Sequence, residues 1–334
     1  MTLQIGIVGT GWFSKVHADI LTRMEGVCVA SVCGTTLEKA EAMASVYDAT
    51  GYDNLEHMLD GKKLDAVYIC VPPMSHGFIE AELIKRGIPF LVEKPLSTGM
   101  DVPLRILEQV QQSSLLTSVG YHFRYQGAAQ VMKQAMQEQK VGMALGRWMG
   151  GMPGVSWWRR QDGSGGQFVE QTTHIVDLLR FCAGEVTEVY AVAAQRSMHE
   201  KHEHVTVDDV ANVTLKLESG AIASIANTCL LPDGEGGAGL QFYTDAGVWD
   251  WTPDRLLLPS AASHPMAGLE VSAGQNPYER ENEAFIHALR TGDRSRILSD
   301  YADACRTQEI TVAALASVDS GLPVKLRSSS GLAR

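Results

Sequence analysis

The sequence predicts an α/β protein: a doubly wound parallel sheet in the N-terminal part, followed by an α+β domain with a largely antiparallel open sheet. Three observations predict it. Residues 1–120 alternate short apolar runs with helical patterns, a glycine pair closes the first of those runs, and after residue 120 the texture changes to segments with a strand period.

Strands are expected at Leu3–Val8, Val27–Cys33, Ala66–Val71, Pro89–Val92 and Leu116–Val119. Helices are expected between them at Phe13–Arg23, Leu37–Tyr47, Asn54–Leu59, His76–Arg86 and Val102–Gln111. This alternation defines a first domain over 1–120, with helices on both faces of its sheet. In 121–334 a helical stretch lies near 126–138, a second starts near Gln167, and strands are expected at Glu188–Ala194 and Leu240–Trp251. Val210–Leu217 and Ile222–Asn227 form a hairpin turning at Ser219-Gly220. Helical patterns return at Glu279–Arg290 and Asp300–Ala316, and these late helices are expected to pack back on the first domain. The Ser-rich tail at Ser328–Ser330 reads as frayed.

With 334 residues, 45% of them hydrophobic, the chain can build two cores. Lys and Arg number 28 and Asp and Glu 39, a net charge of −11, and no basic run is present to follow a phosphate backbone. Nucleic acid is therefore excluded as an expected partner. The six cysteines are scattered without a C-x-x-C pair, so they read as reduced core residues of a cytoplasmic protein, and no metal site is expected. Met1-Thr2-Leu3-Gln4 leads straight into a strand without a signal-peptide pattern, and no run reaches the ~20 apolar residues of a membrane helix.

Gly9-Thr10-Gly11-Trp12-Phe13-Ser14 follows the first strand and opens the first helix, giving G-x-G-x-x-S. Gly9 permits the tight turn, Gly11 lets a pyrophosphate approach the backbone, and the helix N-terminus favours its charge. A dinucleotide is thus expected across Gly9, Gly11, Trp12 and Phe13, in a Rossmann domain. A NAD-specific site usually carries an acid at the end of the second strand. Here Cys33-Gly34-Thr35-Thr36 lacks that acid, and Thr35, Thr36 and Lys39 can receive a ribose phosphate, so NADP is expected at least as readily as NAD.

Glu170, His174 and Asp177 interrupt an apolar helical pattern at i, i+4 and i+7. At roughly 100° per residue they fall within an arc of about 60°. A solvated Glu–His pair with a further surface charge is one reading of that spacing; a proton-transfer line on a buried helix is the other.

Glu93-Lys94-Pro95 after the fourth expected strand, taken with the N-terminal glycines, Val71-Pro72-Pro73-Met74-Ser75-His76, Gly120-Tyr121-His122-Phe123-Arg124-Tyr125, Ser164-Gly165-Gly166 and Arg306-Thr307-Gln308-Glu309, resembles the Gfo/Idh/MocA family of NAD(P)-dependent oxidoreductases over nearly the whole chain. The resemblance implies that Lys94 lies beside the nicotinamide and the reacting hydroxyl, with a commonly cis Pro95 after it. Val71, Pro72, His76 and Glu93 join the cofactor site by the same likeness. The family's D-x-G-x-H-x-x-D pattern is matched in part: His174 falls on the acid/base histidine and Asp177 on the second acid, while Glu170 replaces the first Asp and Thr172 the Gly. His174 would then accept the hydroxyl proton, with Glu170 orienting its ring and stabilising the imidazolium. His122, which stands where many relatives have Asn, and Arg124 become candidates for substrate oxygens or the cofactor, and Asp177 a candidate for the substrate. Trp158, in Trp157-Trp158-Arg159-Arg160, could stack on a pyranose ring or serve as core or dimer contact.

The expected function is hydride transfer between the nicotinamide and a secondary alcohol or ketone of a sugar, cyclitol or sugar derivative, in a homodimer or homotetramer formed through the open face of the second sheet. Two alternatives stay open: a glycosidase working by transient oxidation and elimination, and a non-catalytic cofactor-binding regulator, against which the joint presence of Lys94 and His174 argues. No Y-x-x-x-K and no clustered Cys and His suggest other dehydrogenase classes.

Overall fold

Val, Ile and Cys fill the first apolar runs, and in the computed structural model, which describes residues 2–260 and 268–326, these runs become strands of one parallel sheet. Two units divide the described residues: the first from Met1–Ser97, Asp101–His122 and Pro277–Cys305, the second from Thr98–Met100, Phe123–Asn276 and the chain from Arg306 on.

The first unit runs β1 (Leu3–Val8), α1 (Trp12–Leu21), β2 (Val27–Cys33), α2 (Leu37–Ala44), β3 (Thr50–Tyr52), α3 (Leu55–Gly61), β4 (Ala66–Ile69), α4 (Phe78–Lys85), β5 (Phe90–Val92), α5 (Asp101–Ser113) and β6 (Thr117–Val119). Its strands lie in the order β3-β2-β1-β4-β5-β6, every neighbouring pair parallel. Ile5, Ile7, Tyr68, Ile69 and Leu91 are wholly buried, which explains why these strands read as unbroken apolar runs: a sheet covered on both faces has no polar side to show. Thr50-Gly-Tyr, a partly exposed edge strand of three residues, carried no such signal.

The second unit holds α6 (Gly127–Glu138), β7 (Val141–Met149), α7 (Gln161–Ser164), α8 (Gln167–Glu170), α9 (Thr173–Ala183), β8 (Val186–Ala194), α10 (Met198–Lys201), β9 (Val210–Leu217), β10 (Ile222–Thr228), β11 (Gly237–Thr244), β12 (Gly247–Trp251), β13 (Arg255–Leu257) and β14 (Glu270–Ser272). Next comes α11 (Pro277–Thr291), which belongs to the first unit. α12 (Tyr301–Ser320) and β15 (Val324–Lys325) complete the described elements. The nine strands are ordered β14-β13-β12-β11-β7-β10-β9-β8-β15, antiparallel except for the β7–β10 pair. The expected hairpin is β9–β10, with Ser224 opposite Thr214. Leu240–Trp251, read as one strand segment, is two antiparallel strands, because Asp245 and Ala246 turn the chain. β7, interrupted by Gly142 and Gly146, showed no strand period. The tail at 328–330 lies outside the described residues. Among the described residues no helix is long and apolar enough to cross a membrane.

One face of this sheet is buried. Ala144, Val213, Leu215, Ile225, Leu240 and Phe242 pack in one core with Met132 and Met136 of α6 and Ile175, Leu178 and Leu179 of α9. The opposite face exposes Tyr190, Val192, Ile222, Tyr243 and Val248. The helix expected to run on from Gln167 is broken: α8 stops at Glu170 and α9 begins at Thr173. Gln171 and Thr172 occupy the break, Thr172 and the following Thr173 being β-branched residues of modest helix propensity, and the Thr172 amide turns back to the Gln167 carbonyl at 2.9 Å.

α9 lies close on β7 because Gly146 has no side chain; a Cβ there would stand 2.7 Å from Ile175 Cγ2 and 3.0 Å from Ile225 Cγ1. Gly146→Ala is therefore expected to destabilise the fold by about 1–3 kcal/mol, as overpacking does, and the Gly146→Ala/Ile175→Ala double variant should lose less than the sum of the two single losses. Denaturant melts of the single and double variants check this; a neutral Gly146→Ala would show that the strand and helix part without cost.

Candidate active site

The β1–α1 turn has the shape that a phosphate contact requires. Gly9 has φ +113°, and a Cβ on it would come within 2.1 Å of the Cys70 carbonyl oxygen, so no other residue fits. A Cβ on Gly11 would meet nothing within 4 Å. Gly11 caps α1 with no side-chain hydrogen bond, which leaves the first amides of the helix facing open space. Trp12 is 65% exposed beside this opening and meets Phe13 edge-on at 4.7 Å. At the end of β2, Thr35, Thr36 and Lys39 are exposed, and the Thr36 hydroxyl accepts the Lys39 amide as the N-cap of α2. Asp53 is near enough to add to the burial that raises the Cys33 thiol pKa.

Val71 and Pro72 follow β4 and are partly exposed. His76 is turned inward instead of opening the next helix: its Nδ1 pairs with Glu80 Oε1 at 2.6 Å, and Glu80 Oε2 accepts the Gly77 amide, so α4 starts at Phe78.

Glu93 and Lys94 leave the C-terminal end of β5, the edge at which open sheets of this kind bind ligands. Both are buried, and the Lys94–Pro95 peptide is cis. Glu93 is held from two sides. His17 Nε2 donates to Glu93 Oε1 at 2.9 Å, and Gly120 leaves room for the carboxylate, since a Cβ there would sit 2.7 Å from Oε2. Asn282 Nδ2 donates to the Tyr278 carbonyl at 2.7 Å and reaches His17 Nδ1 at 2.9 Å. The amide nitrogen thus faces the ring, and His17 accepts at Nδ1 and donates at Nε2. His17, Glu93 and Glu281 bring ligand-type atoms within 4.8 Å of one another, yet both ring nitrogens of His17 are committed to these hydrogen bonds.

The Lys94 ammonium lies 6.0 Å from the Phe13 ring centre. Nearby, His122 stacks on Tyr278 with ring centres 4.2 Å apart and 19° between planes. Burial first, then the Lys94 charge, lowers the His122 pKa to about 3, opposed by a hydrogen bond to the Gly120 backbone. Burial, followed by Glu93 and Glu281, raises the Tyr278 phenol. His17, Tyr278, Glu281 and Asn282 were not singled out from the sequence. His17 on the buried face of α1 was the visible signal, and the other three come from a segment far along the chain.

In the second unit His174 is 4% exposed at the start of α9. Trp148 stacks on it at 5.8 Å with 20° between planes, and Phe123 approaches at 5.2 Å, tilted by 56°. Glu170 ends α8 and His174 stands at the start of α9, so the three charges are divided between two helices and not spaced along one. Its Oε2 accepts the Trp158 indole N–H at 2.8 Å. The expectation that Trp158 offers a face to a sugar ring is corrected: it is 1% exposed and packs with Met198, Val207 and Cys229, so its area is spent on the core.

Arg124 and Asp177 satisfy each other. Arg124 donates from Nε to Oδ2 at 2.7 Å and from Nη2 to Oδ1 at 2.6 Å, both side chains being nearly fully buried. Thr307 adds a hydroxyl donor to Oδ1 at 2.8 Å and in turn accepts Arg180 Nη1 at 2.7 Å. Arg180 continues to Glu185 through two further bonds. All six cysteines are free thiols.

A family model described as "Oxidoreductase family, NAD-binding Rossmann fold" matches residues 3–121, and one described as "GFO/IDH/MocA C-terminal domain" matches residues 130–250. The chain belongs to the Gfo/Idh/MocA family of oxidoreductases. It is similar to a 4-carboxy-2-hydroxymuconate-6-semialdehyde dehydrogenase of Sphingobium, 24% identical over 307 residues that cover 87% of this chain and 91% of that protein. It is also similar to an inositol 2-dehydrogenase of Rhizobium meliloti, 26% identical with 68% and 69% covered. A levoglucosan dehydrogenase solved with NADH and L-sorbose shares the fold with a TM-score of 0.87 at 17% identity, covering 98% of this chain and 100% of that one. The WlbA dehydrogenase from Bordetella pertussis, solved with NADH and UDP-GlcNAcA, does so with a TM-score of 0.84 at 20% identity, covering the same shares.

The burial of His122 has a measurable consequence. Its folded-state pKa of about 3 lies below the ordinary value of ~6.5. Between those values the unfolded chain binds the extra proton, so this contribution to stability is complete above ~6.5 and is lost as pH falls toward 3. In denaturant melts at pH 7 and pH 5, wild type should lose about 2 kcal/mol more than His122→Asn over that interval. Equal losses would mean that the imidazole titrates as freely in the folded protein as in the unfolded one.

Proposed function

We propose that this chain is a dehydrogenase moving a hydride between a nicotinamide and a secondary alcohol or matching ketone of a sugar, cyclitol or sugar derivative, with His174 as the proton acceptor and Lys94 as the second proton-transfer group. The observation that carries it is His174 itself: a buried imidazole among aromatic rings, in a chain of an oxidoreductase family. NAD(P), when bound, supplies the hydride chemistry. The open, uncapped turn at Gly9–Phe13 fits its pyrophosphate, Thr35, Thr36 and Lys39 its adenosine ribose, and Val71, Pro72, Glu93 and Lys94 the remaining length.

His174 accepts the hydroxyl proton as the carbon gives up hydride, and returns it in the reverse direction. His122, kept neutral by burial, cannot serve as the acid and is a hydrogen-bonding group beside Lys94. The relatives' names support the substrate class, through inositol, levoglucosan with L-sorbose, and a UDP-sugar acid. The semialdehyde dehydrogenase matched over 87% of the chain favours a second reading, a carboxylated semialdehyde.

The test is a screen of sugars, polyols and semialdehydes with NAD and with NADP, followed by reduced-nicotinamide absorbance. On the substrate found, His174→Ala should lower kcat by ~10²- to 10⁴-fold with dinucleotide affinity nearly unchanged. Full turnover of that variant would remove His174 from the chemistry, and aglycone release without net change in absorbance would replace dehydrogenation by the glycosidase route. Thr35, Thr36 and Lys39 favour NADP at least as tight as NAD, and Asp53 acts against it. A tenfold advantage for NAD by calorimetry, about 1.4 kcal/mol, would overturn that ranking.

The exposed face of the nine-stranded sheet supports a homodimer or homotetramer, because Tyr190, Val192, Ile222, Tyr243 and Val248 leave apolar area in water. Sedimentation should show an oligomer at micromolar concentration that Ile222→Glu dissociates; a wild-type monomer there would defeat the assembly.

A further inference from the structure

His174 stands in the first turn of an eleven-residue helix, where the positive end of the helix dipole opposes a second positive charge. At 4% exposure, water does little to stabilise an imidazolium. A proton acceptor in that position gains from any neighbouring group that favours its charged form.

We propose that Trp148 is a positioning residue for His174, holding the imidazole by stacking and stabilising its protonated form through the face of the indole. This rests on the reading of His174 as the base. Trp148 is fixed on the helix-facing side of β7, on which Ala144 and Gly146 also lie, by its register opposite Asn227 of β10 and Ala238 of β11. Its ring is nearly parallel to the imidazole at 5.8 Å, within the ~6 Å at which a cation is attracted to an aromatic face, and indole has the strongest such face among side chains. Phe123, at 56° to the imidazole, offers more edge than face.

Charged groups also lie on α9 and on the elements packed against it, among them Glu138, exposed at the C-terminal end of α6. α8 brings Glu170, held to Trp158. Asp177 is paired with Arg124 and Arg180 with Glu185. From α6, Lys133 lies 3.9 Å over the Phe181 ring. Arg147 of β7, next to Trp148 in a strand, points to the opposite face, and Ala238, Leu240 and Phe242 of β11 are uncharged. The indole carries none of these charges, so replacing it removes the ring and leaves each charged side chain in the protein.

The experiment is NMR titration of the His174 imidazole, assigned against His174→Ala, in wild type, Trp148→Phe and Trp148→Leu, with pH–rate profiles of the same proteins. Trp148→Leu should lower the His174 midpoint by about half a unit to one unit, Trp148→Phe by less, and the acidic limb of the rate profile should move the same way. The sign follows from the face of the ring: it favours the charged form, so its loss favours the neutral one. Trp148→Phe keeps an aromatic ring in the core and remains the informative variant if Trp148→Leu does not fold. An unmoved His174 midpoint in a folded variant, with kcat lowered equally at every pH, would reduce Trp148 to packing and overturn the proposal. A midpoint that moves while the rate limb stays still would uphold Trp148 and remove His174 as the base.

Discussion

The buried pair of Arg124 and Asp177 is the interaction on which the placement of His174 in the second unit depends. Two charges taken out of water cost several kcal/mol each unless geometry and further hydrogen bonds return it. Here the guanidinium meets both carboxylate oxygens in a fork and Thr307 adds a third donor to the acid. Such a pair specifies more than it stabilises, because any shift of α9 along its axis would strand one charge in the core. His174 lies one turn before Asp177 on that helix, so the register fixed by the ion pair is also the register of the imidazole.

In the first unit a similar result is reached with little net charge. His17 is held by hydrogen bonds between Asn282 and Glu93, and His122, its pKa lowered by burial and then by Lys94, is neutral against Tyr278, so Lys94 emerges beside an imidazole that does not add positive charge. Burial, which makes unpaired charge expensive, is what keeps the His122 imidazole a dipole instead of an ion.

The parallel sheet was legible because its signals are local: apolar runs of four to seven residues, helical intervals and a glycine pair at the first turn. The hairpin of β9 and β10 was legible for the same reason. What escaped were features that depend on partners distant in sequence. Asp177 reads as a free acid until Arg124 is seen beside it, and Trp158 reads as a platform until Met198 and Val207 cover it. The break at Thr172 escaped because two β-branched residues only weaken a helix; whether they end it is decided by the turn that follows. β7 escaped because its glycines, which let α9 approach, also erase the alternation by which a half-buried strand is recognised.

That same strand has a consequence for how the chain acquires its structure. β7 lies between β10 and β11, its Met143 opposite Ile222 on one side and Tyr243 on the other, so during synthesis it leaves the ribosome well before either neighbour exists. Its backbone groups must wait for partners while β8, β9 and β10 can already zip together through nearest-in-sequence pairings. The middle of the sheet is therefore closed late, by insertion of an early segment between later ones, and until then an unpaired edge rich in methionine and tryptophan is open to any other strand that meets it.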